Sequence, residues 1–180
     1  MKPPDLTTDA FLGGRLQLSQ PRRGYRAGVD PVLLAASIPA KAGQSVLELG
    51  CGAGAAILCL GTRIAGLKLT GLELQADYAA LAAQNALDNG VTLEVVTGDL
   101  AQMPPALKER RFDHVIANPP YYDRAAGKSA RDAGREAALG EVTQLEAWVD
   151  AAARRTLPGG HVHMIHRAER LPELLRFARD

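Results

Sequence analysis

The run Asn118-Pro119-Pro120-Tyr121 carries the most specific chemistry in this sequence. An exocyclic amine on an aromatic ring is a poor nucleophile because its lone pair is delocalised into the ring. An asparagine oxygen and the next residue's carbonyl, stiffened by two prolines, offer acceptors to both N–H groups of such an amine. That favours a pyramidal nitrogen with a directed lone pair. Tyr121 adds a π-face on which an extruded base stacks. A turn without chemistry is the plain alternative, but the quartet directly follows an apolar strand, where open α/β sheets bind ligands.

A second motif, Glu48-Leu49-Gly50-Cys51-Gly52-Ala53-Gly54, stands where a strand gives way to a helix. Glycines there allow a tight turn and close approach of backbone to ligand, next to the unpaired N–H groups of a helix start. Glu73 closes the next strand, nineteen residues beyond Gly54. A carboxylate so placed accepts from both hydroxyls of a ribose, which fits NAD and S-adenosylmethionine equally. Asp99 ends a third strand, where a side-chain acceptor meets the amine of a bound adenine. A plain turn role is the alternative for Asp99.

The elements that must position these residues follow from periodicity. Phe11 to Leu18 alternates around a Gly-Gly turn signal and predicts a small hairpin. Asp30 before Pro31 reads as an N-cap with proline at the first helical position, opening a short helix that ends near Pro39. Strands are expected over Ser45–Leu49, Leu67–Leu72, Leu93–Thr97, Asp113–Ala117 and His161–Ile165, the last after a Pro158-Gly159-Gly160 turn. Helices are expected over Ala53–Ile64, Gln75–Asp88, Val142–Thr156 and Ala168–Arg179. The segment Asp123 to Gly140 is the one long candidate loop. Strand and helix alternate, and the strands are apolar along their length. The pattern therefore predicts an α/β fold with a parallel sheet covered on both faces.

With 180 residues the chain is the size of one domain able to bury a core unaided. No apolar run approaches the length of a membrane span, and no secretory leader is legible, so a cytoplasmic location is expected. Cys51 and Cys59 read as a small site residue and a core filler rather than a pair. The formal charge of +1 neither favours nor excludes nucleic acid. Local basic clusters at Arg15, Arg22, Arg23 and Arg26, and at Arg124, Lys128, Arg131 and Arg135, can neutralise phosphates. A solvated face is the alternative for the second cluster. Three of the four tyrosines, Tyr25, Tyr121 and Tyr122, fall in the proposed site loops. His161, His163 and His166 invite a metal reading, because alternate strand residues share a face, but no carboxylate or cysteine nearby completes a ligand set, so no metal is expected.

On these residues the chain resembles class I S-adenosylmethionine-dependent methyltransferases. More narrowly it resembles the bacterial tRNA1(Val) (adenine-37) N6-methyltransferase family. The narrower match rests on Leu12-Gly13-Gly14-Arg15, Gln20, Gly24-Tyr25-Arg26, Asp30 through Leu34, and Asn118-Pro119-Pro120-Tyr121-Tyr122. The resemblance implies a single Rossmann-like domain over 1–180, with a hairpin and cofactor-covering helix in 1–40 and the core in 45–180. It implies a mostly parallel sheet of order 3-2-1-4-5. It implies S-adenosylmethionine contacts at Tyr25, Arg26, Asp30, Glu48, Gly50, Cys51, Gly52, Gly54, Glu73, Leu74, Asp99, Leu100 and Asn118. Catalysis would fall to Asn118, Pro119, Pro120 and Tyr121. A tRNA substrate would be held by Tyr121, Tyr122, Arg22, Arg23, Lys128, Arg131 and Arg135.

Members of this fold add an antiparallel hairpin after the fifth strand and its helix. That hairpin is missing before Asp180, so the expectation is that the chain is a fragment of a longer protein. Protein glutamine N5- and rRNA guanine N2-methyltransferases share the machinery and remain alternatives. A non-catalytic RNA-binding module and a nicotinamide-dependent oxidoreductase stand as readings from other classes. The sequence leaves the oligomeric state open.

Overall fold

A computed structural model describes residues 5–120 and 144–178. The hairpin forms from β1 (Leu6–Phe11) and β2 (Leu16–Pro21), and α1 spans Asp30–Ser37. The core then runs β3 (Ser45–Leu49), α2 (Ala55–Arg63), β4 (Lys68–Glu73), α3 (Ala76–Asp88), β5 (Leu93–Thr97), α4 (Pro105–Lys108), β6 (Phe112–Ala117), α5 (Leu145–Arg155), β7 (Thr156–Met164) and α6 (Leu171–Phe177). The sheet order is β5-β4-β3-β6-β7 and every ladder in it is parallel, which is the expected 3-2-1-4-5 arrangement. Strand order reverses between β3 and β6, so their carboxyl ends open the crevice into which the glycine turn and Asn118 project.

Strand alternation divides the core. Val46 and Ile116 face α1, α2, α3 and the hairpin, in one apolar cluster with Leu16, Leu18, Ile57 and Leu60. Leu47, Leu49, Val115 and Ala117 face Trp148 and Ala152 of α5 and Leu107 of α4. Ser45 and Asp113 lock the entry of β3 to that of β6. The Asp113 carboxylate accepts from the Ser45 N–H at 2.8 Å and its hydroxyl at 2.7 Å, and these bonds hold its pKa below the ordinary value.

Several boundaries differ from expectation. The cap before α1 is Val29, with Asp30 already inside the helix. The helix after the glycine turn begins at Ala55 rather than Ala53, because Gly52 and Gly54 hold left-handed backbone. Pro158-Gly159-Gly160 does not precede the last strand. It lies within β7, where the register shifts so that Phe112 pairs with Thr156 but His114 with His161. The final helix begins only at Leu171, after a 3-10 turn over Ala168–Arg170. A second such turn, Leu100–Gln102, and the short α4 were not anticipated.

The histidines also regroup. His166 lies outside β7, and the third ring beside His161 and His163 is instead His114 of β6. Gln44 Oε1 accepts from the Lys41 N–H at 2.8 Å and lies 3.2 Å from His114 Nε2. Nε2 is therefore the donor, and His114 Nδ1 accepts from His163 Nε2 at 3.1 Å. Burial pushes the pKa of both histidines down. Among the described residues no group of three or more His, Cys, Asp or Glu is arranged to hold a metal ion. Nor is any described helix long and apolar enough to cross a membrane.

Asn85 of α3 and Asn89, which caps its end, dock the hairpin. Asn85 and Asn89 are four residues apart, a helical rise of about 6 Å, close to the ~6.7 Å between alternate residues of a strand. Asn85 Oδ1 accepts from Ser19 N–H and its Nδ2 donates to Ser19 C=O, both at 2.9 Å. Asn89 repeats the pattern on Gln17 at 2.8 and 2.7 Å. Asn85, fully buried, also donates to the Ala53 carbonyl of the glycine turn at 2.9 Å. Asn85→Ala should cost about 3 kcal/mol, since buried backbone groups lose their partners, whereas Asn89→Ala at the exposed end should cost about 1. Urea denaturation measures both, and equal losses would refute the special standing of Asn85.

Candidate active site

A pocket of about 380 Å³ opens at the carboxyl ends of β3, β4, β5 and β6. It is lined by Tyr25, Arg26, Asp30, Glu48, Gly50, Cys51, Gly52, Glu73, Leu74, Asp99, Leu100, Asn118, Pro119 and Pro120 from the sequence-derived set. Gly54 is not among them. It caps α2 with φ +89°, and a Cβ there would meet Leu58 and Ala82 beneath the turn. Arg22 and Arg23 are exposed outside the pocket, and Arg22 pairs with Asp5 at 3.0 Å. Tyr121, Tyr122, Lys128, Arg131 and Arg135 lie outside the described residues.

The wall also includes Gln20, Tyr78 and Trp148, which sequence reasoning missed. Trp148 is the only tryptophan in the chain and shows no local signal. Its indole lies so close to Gly50 that a Cβ there would stand 2.6 Å from the ring. Together with a φ of +64°, this makes glycine at position 50 a requirement of packing as well as of the turn. Tyr78, the fourth tyrosine, donates its hydroxyl to the Tyr25 carbonyl at 3.1 Å.

Two buried carboxyls support the turn from below. Glu48 accepts the Ile57 N–H of α2 at 2.9 Å, and burial pushes its pKa up to about 8. Glu73 accepts from Gly52 N–H through Oε2 at 2.8 Å and from Gln75 N–H through Oε1 at 2.9 Å. Burial raises its pKa, against the opposing pull of those bonds. Asp99 Oδ1 caps the turn after β5 by accepting the Ala101 N–H at 2.8 Å. Burial raises the Cys51 thiol well above its ordinary range. Arg26, expected over a cofactor, spends its guanidinium on the hairpin: Thr7 Oγ1 at 2.6 Å, the Pro21 carbonyl at 2.8 Å and Asp9 Oδ2 at 2.5 Å.

This electrostatic arrangement separates the two nucleoside cofactors that the motifs alone left equal. A pyrophosphate needs several donated N–H groups. Here the amides of Cys51, Gly52 and Gly54 are already bound to Leu72, Glu73 and Cys51. Acidic side chains line the pocket around them. A cationic nucleoside suits that lining, and above Gly52 no heavy atom of the described residues, its chain neighbours aside, lies within 4 Å of where a Cβ would stand.

Fold and pocket together define the class: a Rossmann-like, S-adenosylmethionine-dependent methyltransferase. The chain belongs to the methyltransferase small domain family, which it matches over residues 27–168. It is similar to the tRNA1(Val) (adenine(37)-N6)-methyltransferase of Porphyromonas gingivalis, with 29% identity across 96% of this chain and 71% of that protein. It is 32% identical to the release factor glutamine methyltransferase of Bordetella pertussis, across 77% of this chain and 54% of that one. Among solved structures, a T. thermophilus 16S rRNA N2 methyltransferase in complex with AdoMet and guanosine superposes with a TM-score of 0.66. It shares 23% identity, over 95% of this chain and 44% of that chain.

The Glu48 shift has a measurable sign. Its folded pKa of about 8 exceeds the ordinary 4.5, so between those values the folded state binds the extra proton. Stability therefore falls as pH rises from about 4.5 to about 8 and levels off above. Glu48→Gln should flatten that slope in urea denaturation across the same range. An unchanged slope would assign the proton elsewhere.

Proposed function

We propose that this chain methylates the N6 amine of an adenine in tRNA, beside the anticodon. The observation that carries this reading is the arrival of Asn118 and Pro119, at the end of β6, on the same pocket wall as Glu73, Asp99 and the glycine turn. The similarity to a tRNA adenine-N6 enzyme along nearly the whole chain supports it.

In this reading Glu73 takes the ribose hydroxyls. Each carboxylate oxygen has two lone pairs, so one backbone N–H leaves each able to accept again. Asp99 meets the adenine amine of the cofactor, with Leu74, Leu100 and Cys51 as neighbouring wall. When bound, S-adenosylmethionine supplies a methyl group on a sulfonium, open to direct attack by nitrogen. Asn118 Oδ1 and the Pro119 carbonyl accept from the two N–H groups of the target amine and aim its lone pair along the transfer axis. Pro120 stiffens that projection and Tyr121 stacks on the base. The methylated nitrogen is acidic and releases its proton to water, so orientation rather than a strong base supplies the rate. Arg22 and Arg23, with Lys128, Arg131, Arg135 and Tyr122, hold the RNA. A tRNA substrate places the work in the cytoplasm.

Asn118→Ala should keep cofactor affinity and lower turnover by ~10² to 10³, as for loss of one preorganised polar contact to a reacting group. Glu73→Ala should weaken cofactor binding at least about tenfold, since bonds to a charged acceptor contribute ~1.5 to 3 kcal/mol each. Calorimetry with S-adenosylhomocysteine and mass spectrometry of methylated nucleosides read the two effects. Near wild-type turnover in Asn118→Ala would end the amine-orienting role.

A second reading is favoured by the 32% identity to a release factor glutamine methyltransferase. An amide nitrogen presents the same two N–H groups to the same acceptors. Offering both an unmodified tRNA transcript and a release factor to the enzyme separates the two, through which of them gains the methyl group.

A further inference from the structure

Reversing the Asn118 amide would present an NH2 group, instead of an oxygen, to the amine of a substrate. Donor would face donor, and the acceptor on which the proposed chemistry rests would be lost. Rotation about the last side-chain bond of an asparagine costs little, so something must hold this amide one way round. Asn118 Nδ2 donates to the Tyr25 hydroxyl oxygen at 3.4 Å. We propose that Tyr25 is the positioning residue of this site: it accepts from the Asn118 amide nitrogen and thereby keeps the Asn118 oxygen turned to the methyl acceptor. This rests on the amine-methylating reading above.

The position of Tyr25 is itself overdetermined. Its carbonyl accepts from Tyr78 of α3 at 3.1 Å. The next residue, Arg26, is tied to three groups of the hairpin. Ala27 donates its N–H at 2.7 Å to Gln20 Oε1, and Gln20 is buried in β2. Three consecutive residues are thus fastened to five separate groups, so the ring is held over Asn118 by the hairpin and α3 jointly.

The direction of the bond also follows from its surroundings. A hydroxyl can donate or accept, and its proton goes to the more negative side. Burial, and after it the neighbouring Glu48 and Asp30, push the pKa of the Tyr25 hydroxyl up to about 12. The group therefore keeps its proton at physiological pH, and since an amide NH2 has no acceptor to offer, that proton points away from Asn118. Its lone pair is left for the amide N–H of Asn118. The hairpin in this arrangement does more than cover a cofactor: it sets the polarity of the amide that meets the substrate.

Tyr25→Phe keeps the ring and removes the hydroxyl. In the free protein, the side-chain NH2 resonances of Asn118 in ¹⁵N NMR should move upfield in Y25F, and unchanged resonances would overturn the proposal without any substrate. With an unmodified tRNA1(Val) transcript, Y25F should lower kcat roughly tenfold while cofactor Kd stays within about twofold. The discriminating comparison is Asn118→Asp, whose two oxygens both accept and need no orienting. In that background Y25F should cause no further loss. The same proportional loss in both backgrounds would mean that Tyr25 only packs. If instead Asn118→Ala leaves turnover intact, or the transcript gains no methyl group, the amine-methylating reading fails, while the NMR result still decides whether Tyr25 orients the amide.

Discussion

The side chain of Asn85 is the constraint on which the arrangement of the site depends. Its three hydrogen bonds join β2, through both backbone groups of Ser19, to the glycine turn, through the carbonyl of Ala53. An amide carries a donor and an acceptor side by side, which is the pattern a neighbouring strand would offer at one residue. Asn85 therefore completes an edge of β2 that would otherwise bury unpaired polar groups. Once the hairpin is docked this way, Leu16 and Leu18 enter the core, and the segment after β2 is carried across the mouth of the pocket.

Beneath that segment the pocket is built against its own stability. Two carboxyls are buried within one crevice, where desolvation opposes their ionisation. Both are tied to backbone N–H groups, Glu48 to the first turn of α2 and Glu73 to the glycine turn. The same bonds that make the carboxyls tolerable also hold the two backbone segments in place. A cation entering the crevice lowers the cost of ionising them. An anion raises it.

The fold alone does not choose a substrate. Relatives of this chain include proteins named for tRNA adenine, and for a release factor glutamine. What those targets have in common is a planar nitrogen carrying N–H groups. What distinguishes this chain from a bare Rossmann-like core is the hairpin, because it brings Tyr25 from 93 positions away to the amide of Asn118. Selectivity in such a design is decided by parts grafted on the sheet edge and not by the sheet itself.

Much of this was legible in the residue order, for local reasons. Strand and helix periodicity, and glycines after apolar runs, depend on neighbouring residues only. Hence β3 and β5 fall where they were expected, the sheet order follows, and the glycine turn, Glu73, Asp99 and Asn118 meet at one crevice. Errors clustered where backbone geometry depends on distant partners. Pro158-Gly159-Gly160 reads as a turn in isolation, yet the ladder with β6 absorbs it as an irregularity within β7. Arg26 does line the pocket, but its ties to Asp9 and Thr7 across the hairpin follow from no local pattern. Trp148, Asn85 and Tyr78 carry no local signal at all, since each matters through contacts far along the chain. The sequence by itself determined which residues stand at the ends of the strands, because short-range periodicity sets where strands stop. Only the tertiary structure decided which way the Asn118 amide faces and why residue 50 must be glycine. Those depend on Tyr25 and Trp148, which folding brings alongside from other elements.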